Sequence, residues 1–130
     1  MDFLNLESIF KTQIEVRVKN LLDGAYPDIM FTTEYKDNPP SFPSVYIHEL
    51  EPTERGNDLA NDKIHAVKHN VQIEVTTNTT KGDSRRVINA CVDACKMLRY
   101  TTTFPVHQQV NNMHRHIIRV HRIVGSGDKF

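Results

Sequence analysis

The chain contains 130 residues, and its 16 basic and 16 acidic side chains give a formal net charge of zero. This length fits one domain with a modest core. The balanced charge argues against a dedicated nucleic-acid-binding protein, which normally has a basic excess, and no apolar run approaches the roughly 20 residues that span a bilayer. Asp2 and Glu7 interrupt the N-terminal region, which lacks a signal-peptide pattern, so we expect a protein made in the cytoplasm with no membrane partner.

The first predicted element is a helix from about Phe3 to Leu22, with Asp2 as its N-cap and Gly24 as its C-terminal stop. Its apolar stripe, which we expect to pack on a sheet, consists of Phe3, Leu6, Phe10, Ile14, Val18 and Leu21. Residues 14–18 also alternate with period two, which leaves a strand as the alternative. The capping residue, the length and the flanking charges favour a helix.

Two strands are predicted next, over Ile29–Lys36 and Ser44–Leu50, after a turn at residues 25–28. Ile29, Phe31, Thr33 and Tyr35 share one face of the first strand. The intervening segment contains three prolines, which lack the amide donor that a sheet interior requires. We therefore predict a hairpin with a proline-stiffened connection.

The polar segment Glu51–Lys63 has no periodicity and is predicted to be a long loop. Loops of this length inside a domain are usually functional or mobile, although a plain solvated loop is the alternative. As candidates for contact with a neighbouring subunit we take its charged residues Glu51, Glu54, Arg55, Asp58 and Asp62.

The clearest periodicity lies between Ile64 and Leu98. Residues 64–77 alternate, with Val67, Val71, Ile73 and Val75 on one face and Lys68, Asn70, Gln72 and Glu74 on the other, which predicts a long half-buried strand. His65 and His69 fall on its apolar side, where we expect an edge position near a subunit contact. A helix then begins near Thr80 or Asp83 as N-cap, with an apolar stripe formed by Val87, Ile88, Cys91, Ala94, Cys95 and Leu98.

Cys91 and Cys95 lie one helical turn apart on this stripe. A metal site would need two further ligands, which the seven histidines could supply. The spacing instead matches the core stripe, and free cysteine is among the most buried residue types. We therefore predict two core cysteines, with no disulfide between them because a regular helix does not bring them to bonding distance.

After a connector at residues 100–105, the last predicted element is a strand from Met113 to Val124. Its core face is formed by His116, Ile118, Val120 and Val124. On the opposite face Arg115, Arg119 and His121 form a basic ladder that flanks Ile117. This ladder could contact phosphates, but cross-strand pairing with Glu74 or Glu34 is the favoured interpretation.

Together these elements predict an α+β fold in one domain, residues 1–130, with a single mainly antiparallel sheet of about four long strands and two helices packed on one face. The other sheet face carries Ile64, Ile117 and Ile123 among charged residues, which favours contact with neighbouring subunits. No motif of a hydrolase, kinase, nucleotide-binding loop or zinc protease is present, so no catalytic, cofactor-binding or metal-ligating residues are predicted.

The order of these elements, the strand entry Phe42–Ile47, the strand Val71–Val75 and the closing strand His116–Gly125 resemble the tail terminator (tail completion, minor tail) proteins of long-tailed bacteriophages. The resemblance spans nearly the whole chain. It implies a non-enzymatic virion protein of the tail or neck without cofactors. In that family a ring, commonly a hexamer, caps the tail tube, ends its polymerisation and presents a surface to the head.

The partners implied are further copies of the chain, the tail tube protein and a head-closure or adaptor protein, with DNA passing through the lumen without specific binding. Head–tail adaptor and head-closure proteins of the phage neck are the nearest alternative. A small metal-binding or nucleic-acid-binding protein is the second alternative, and the richness in histidine is a departure from the family's pattern.

Overall fold

The computed structural model describes residues 5–50, 53–54, 66–125, 127–128 and 130. Its first helix, α1, spans Leu6–Leu22 and buries every fourth residue, namely Leu6, Phe10, Ile14, Val18 and Leu22. A strict spacing of four keeps one side of a helix against the core. The strand considered for residues 14–18 is therefore wrong. Leu22 also takes the core position predicted for Leu21, whose side chain is 40% exposed.

Helix α1 ends where the backbone turns left-handed. Asp23 has φ 50°, its amide donates to the carbonyls of Lys19 and Asn20, and Gly24 follows with φ +75°. A left-handed residue at this point is a common way to end a helix. The helix therefore ends at the predicted place, with Asp23 as its C-cap directly before Gly24. Asp2 and Phe3, which were predicted to begin the helix, lie outside the described residues.

The described residues contain one mixed sheet with the strand order β1-β2-β4-β7-β5, in which β3 also pairs with β4 and β6 with β7. The strands are β1 (Met30–Thr32), β2 (Ser44–Glu49), β3 (Thr53–Glu54), β4 (Ala66–Thr77), β5 (Thr101–Thr102), β6 (Val106–Val110) and β7 (Met113–Gly125). The long antiparallel pair β4–β7 runs from Ala66 opposite Gly125 to Thr77 opposite His114. The prediction of about four long, mainly antiparallel strands agrees only roughly with this sheet.

The predicted hairpin between the first two strands is wrong. Strand β1 has three residues and pairs with β2 in parallel, with Met30 opposite Ser44 and Thr32 opposite Tyr46. A parallel pair requires a connection that returns to the same end of the sheet. Residues 33–43, with their three prolines, make this return without a further helix or strand, so the prolines stiffen a crossover and not a hairpin.

The connector predicted at residues 100–105 is also more structured than expected, because it contains β5 and leads into β6. Both strands pair with β7 on the side away from β4. They are short, and edge strands of this kind carry little periodicity for a sequence pattern to reveal. The strand β4, predicted to lie at an edge near His69, is instead flanked by β2 on one side and β7 on the other.

Helix α2 (Lys81–Met97) confirms the predicted change of period at Thr80. The Thr80 side chain accepts a hydrogen bond from the Asp83 amide, so Thr80 is the N-cap. Its buried face meets the same side of the sheet as α1, in one core that includes Phe10, Ile14, Val45, Ile73 and Ile118. Both helices therefore cover one sheet face, as predicted, and the fold is α+β.

Cys91 and Cys95 are fully buried in this core, and neither forms a disulfide. Burial raises the pKa of the Cys91 thiol to about 12, so this thiol stays protonated and behaves as a small apolar side chain. We expect replacement of either cysteine by alanine to lower the free energy of unfolding by about 1 kcal/mol, near the low end for truncating a buried side chain. Urea unfolding would measure this loss, and stoichiometric zinc that both substitutions abolish would contradict a purely packing role.

Candidate assembly surface

The sheet face opposite the helices carries the predicted basic ladder. Arg115, Ile117, Arg119, His121 and Ile123 of β7 share this outer face, since the alternate residues His116, Ile118, Val120, Arg122 and Val124 are buried on the helix side. Arg119 is exposed and Ile123 is 51% exposed, whereas Ile117 is half-buried. The predicted shared face of Arg115, Arg119 and His121 is thus confirmed.

A chain of hydrogen bonds holds the centre of the outer face. Arg119 Nε donates to Gln72 Oε1 at 3.0 Å, and Gln72 Nε2 donates to Glu74 Oε1 at 3.2 Å. Arg119 therefore pairs with the neutral Gln72 directly across the strands, and Gln72 links it to Glu74. Cross-strand pairing was the favoured interpretation of the ladder, but the expected direct partner was Glu74 or Glu34.

Arg115 lies at the other end of the ladder, where its Nε donates to Thr76 Oγ1 at 3.4 Å. The ion pairs found among the described residues include neither Arg115 nor Arg119. Guanidinium groups held by neutral partners keep unused donors and their charge. The outer face thus presents oriented cations to whatever contacts it.

The structure leaves most of the predicted loop candidates undescribed. Glu51, Arg55, Asp58 and Asp62 lie outside the described residues, as does Ile64. Glu54 belongs to the short strand β3, where its backbone pairs with Val67 of β4. The predicted loop therefore contains a short strand that the sequence did not indicate. This strand pairs with β4, whereas the basic ladder lies on β7.

A histidine cluster lies where the β6–β7 hairpin meets the beginning of α2. His107 Nε2 lies 3.0 Å from His114 Nδ1, and His116 Nδ1 lies 2.7 Å from Ser84 Oγ. Burial, followed by the charge of His107, lowers the pKa of His116 to about 4. Desolvation, Lys81, His114 and Arg85 lower the pKa of His107.

Within this hydrogen-bonded cluster the lowered pKa values favour neutral rings for His107 and His116. The short N···N distance shows that the rings of His107 and His114 meet through their edges. Nearby cations oppose protonation of His107 and His116. Among the described residues, no group of three or more His, Cys, Asp and Glu side chains has a geometry suited to a metal ion.

A second polar network, which the sequence did not reveal, lies inside the core. His69 is fully buried, with its Nδ1 2.7 Å from the Tyr100 hydroxyl and its Nε2 3.3 Å from Glu49 Oε2. Burial raises the pKa of Tyr100 far above its ordinary value. The Tyr100 hydroxyl therefore stays protonated and donates a hydrogen bond to His69 Nδ1. The ring proton of His69 then belongs on Nε2, facing Glu49.

Burial sets the charge states in this network. It lowers the pKa of His69 to about 4, against a smaller opposing effect of the Glu7 carboxylate, and it raises the pKa of Glu49. The Arg122 guanidinium lies 6.0 Å from the centre of the Tyr100 ring and donates to the Leu98 carbonyl at 3.0 Å. A tyrosine with a raised pKa is not an activated nucleophile, so this arrangement supports a role in positioning the strands.

In comparisons with known proteins, no protein-family model matches this sequence, and no curated protein matches it significantly. Within the described part of the chain, neither helix has the length and apolar character to cross a membrane. The interpretation of the surface therefore depends on its own geometry.

Proposed function

We propose that this chain is a tail terminator protein of a long-tailed bacteriophage, a structural subunit of the virion that acts by assembling into a ring. The observation that carries the proposal is the sheet face that the two helices leave open, on which β7 presents the hydrogen-bonded cations Arg115 and Arg119 and, further along the strand, the half-exposed Ile123. Charges that hydrogen bonds hold in place on an open face suit contact with a surface of complementary charge. The element order, which resembles the terminator proteins, is the second support.

In the proposed mechanism, identical subunits join through two different surfaces, because only a heterologous contact with the right rotation closes a ring. A hexamer is the ring order that the resemblance implies. One ring surface would match the end of the tail tube and the other would not, so polymerisation would stop after one layer. The second surface would receive the head-closure or adaptor protein, and DNA would pass through the lumen without specific binding.

Charged groups on the outer face would set the register of these contacts. Arg119 is exposed and already oriented by Gln72. Charge complementarity of this kind contributes more to specificity and association rate than to affinity. We therefore propose Arg119 as a contact residue for a tube or neck protein, with Arg115 on the same face of β7 as the second candidate.

We expect Arg119→Glu to leave a folded subunit that fails to join tails to heads, because the substitution reverses an oriented charge at the proposed contact. Complementation of a phage lacking the gene, scored as infectious titre and by electron microscopy, would measure this. Lys11→Glu makes the same change of charge on α1 and should restore assembly. An equal yield from both variants would contradict the role of Arg119.

Deletion of the gene separates the terminator from the neck alternatives. A missing terminator should give tails of irregular, excessive length, whereas a missing adaptor or head-closure protein should give tails of normal length that stay unattached. Particles without this protein that show uniform tails joined to full heads would contradict both assignments.

A further inference from the structure

An aromatic side chain projects from one lateral edge of the molecule. Phe104 lies in the connection between β5 and β6, beyond β7, and it is 92% exposed. The base of this connection is held by two bonds to β7, since the Thr103 amide donates to the Arg119 carbonyl at 3.0 Å and the Arg119 amide donates to Thr103 Oγ1 at 3.0 Å. A large aromatic ring on a fixed loop supplies much contact area at low entropic cost.

The opposite edge of the molecule contains an apolar cavity of about 230 Å³. It lies where α1 leads into β1, the outermost strand on that side. Its walls are formed by Lys19, Leu22, Gly24, Tyr26, Pro27 and Ile29. Since a cavity of about 150 Å³ accepts benzene, this one has room for a phenyl ring.

The cavity is held in shape without an occupant. The Tyr26 hydroxyl donates to Asp83 Oδ1 at 2.9 Å, and the Arg86 guanidinium lies 5.6 Å from the centre of the Tyr26 ring. Both partners belong to α2. A preformed cavity loses less entropy on binding than one that must be ordered by its ligand.

The two edges also carry opposite charge, although the whole chain is neutral. Residues 96–122, which include Phe104, contain five basic side chains and no acidic one. Arg122 among them is buried, and Arg115 and Arg119 lie on the outer face. Residues 23–37, which include part of the cavity wall, contain four acidic side chains and one lysine, and Lys19 adds a second cation to the wall. Asp23, Asp28, Glu34 and Asp37 are exposed on the acidic edge, and Lys96, which is also exposed, lies near Phe104 on the basic edge.

We infer that Phe104 of one copy inserts into the cavity between α1 and β1 of the next copy, and that this contact joins neighbouring subunits of the ring. The occupant is a second copy, because the Phe104 side chain, here called the knob, and the cavity lie on opposite sides of the same chain. The basic and acidic edges lie on the same two sides. Such a contact is heterologous and leaves one free knob and one free cavity until a ring closes. The inference rests on the proposed function and specifies how its ring is held.

The test uses two full-length variants, each defective on one side. Phe104→Asp removes the knob, and Pro27→Arg places a bulky cation on the exposed cavity wall, where it also opposes the basic edge. Each variant alone should be monomeric by native mass spectrometry, because losing a central aromatic anchor weakens a contact by roughly 30-fold or more. Mixed together, they should form a 1:1 dimer and nothing larger, since one intact knob and one intact cavity remain.

The controls cover folding and chemistry. Phe104→Leu keeps an apolar knob and should retain most of the assembly, and dimer formation in the mixture itself shows that both variants are folded. Asp28→Arg, on an exposed side chain beside the cavity, is the second cavity-side variant if Pro27→Arg does not fold. Rings that persist in both variants would overturn this contact and leave the proposed function standing. A wild-type chain that forms no ring would overturn the proposed function together with this contact.

Discussion

Replacing Phe10 with alanine should lower the free energy of unfolding by about 3–5 kcal/mol, the range for deleting a fully buried aromatic ring. Phe10 is completely buried, and its ring centre lies 5.5 Å from that of His69 and 4.9 Å from that of Tyr100. It therefore joins α1 to the polar network of the core. The cavity left behind would expose that network as well as remove apolar contacts.

Urea unfolding followed by circular dichroism would measure the effect. Val16→Ala provides the matched control, because Val16 lies on the same helix and is 53% exposed; its loss should stay within about 0.5 kcal/mol. A Phe10→Ala variant destabilised no more than Val16→Ala would show that α1 does not pack as described.

Lowering the pH from about 7 to about 4 should remove roughly 3 kcal/mol of stability through His69. Its pKa in the folded protein is about 4, well below the ordinary value of 6.5. The unfolded chain therefore takes up a proton as the pH falls through 6.5, while the folded chain does so only near pH 4. The stability that His69 contributes is complete above 6.5 and is lost between these two values.

Two other groups modify this dependence of stability on pH. His116, with a pKa of about 4, acts in the same direction as His69. The raised pKa of Glu49 acts in the opposite direction, because the folded carboxyl takes up its proton at a higher pH than the unfolded one. We expect the histidines to dominate, since both are almost completely buried whereas the side chain of Glu49 is 19% exposed.

The pH prediction is measured by urea unfolding at several pH values. His69→Gln should be less stable at neutral pH and should show a flatter pH dependence, because the titrating ring is gone. Val16→Ala, which removes no titrating group, should keep the pH dependence of the unsubstituted protein. A free energy of unfolding that is equal at pH values of about 7 and about 4.5 would contradict the buried neutral His69.

Much of the central fold was predictable because its periodicities are long. The alternation in β4 and β7 and the helical spacing in α2 each extend over enough residues to identify the buried face. The outer-face ladder followed from the same alternation, since Arg115, Arg119 and His121 fall on odd positions of β7. Burial of Cys91 and Cys95 followed from their place in the α2 stripe.

The remaining features depend on contacts between distant parts of the chain. The direction of β1 relative to β2 is set by how residues 33–43 return, which alternation does not encode. His69 and Tyr100 meet across 31 positions, and Arg122 finds its carbonyl partner 24 positions away. Arg122 lies on the buried face of β7 between the apolar Val120 and Val124, and a charged residue at such a position was the available signal for a polar network.

Native mass spectrometry of the purified full-length protein tests whether this chain assembles into one closed ring, as we propose. We expect a single discrete oligomer that does not grow at higher protein concentration and that electron microscopy shows as a ring with an open centre. The resemblance implies that this oligomer is a hexamer. A monomer at all concentrations, a metal-bearing monomer, or filaments of unlimited length would contradict the closed ring.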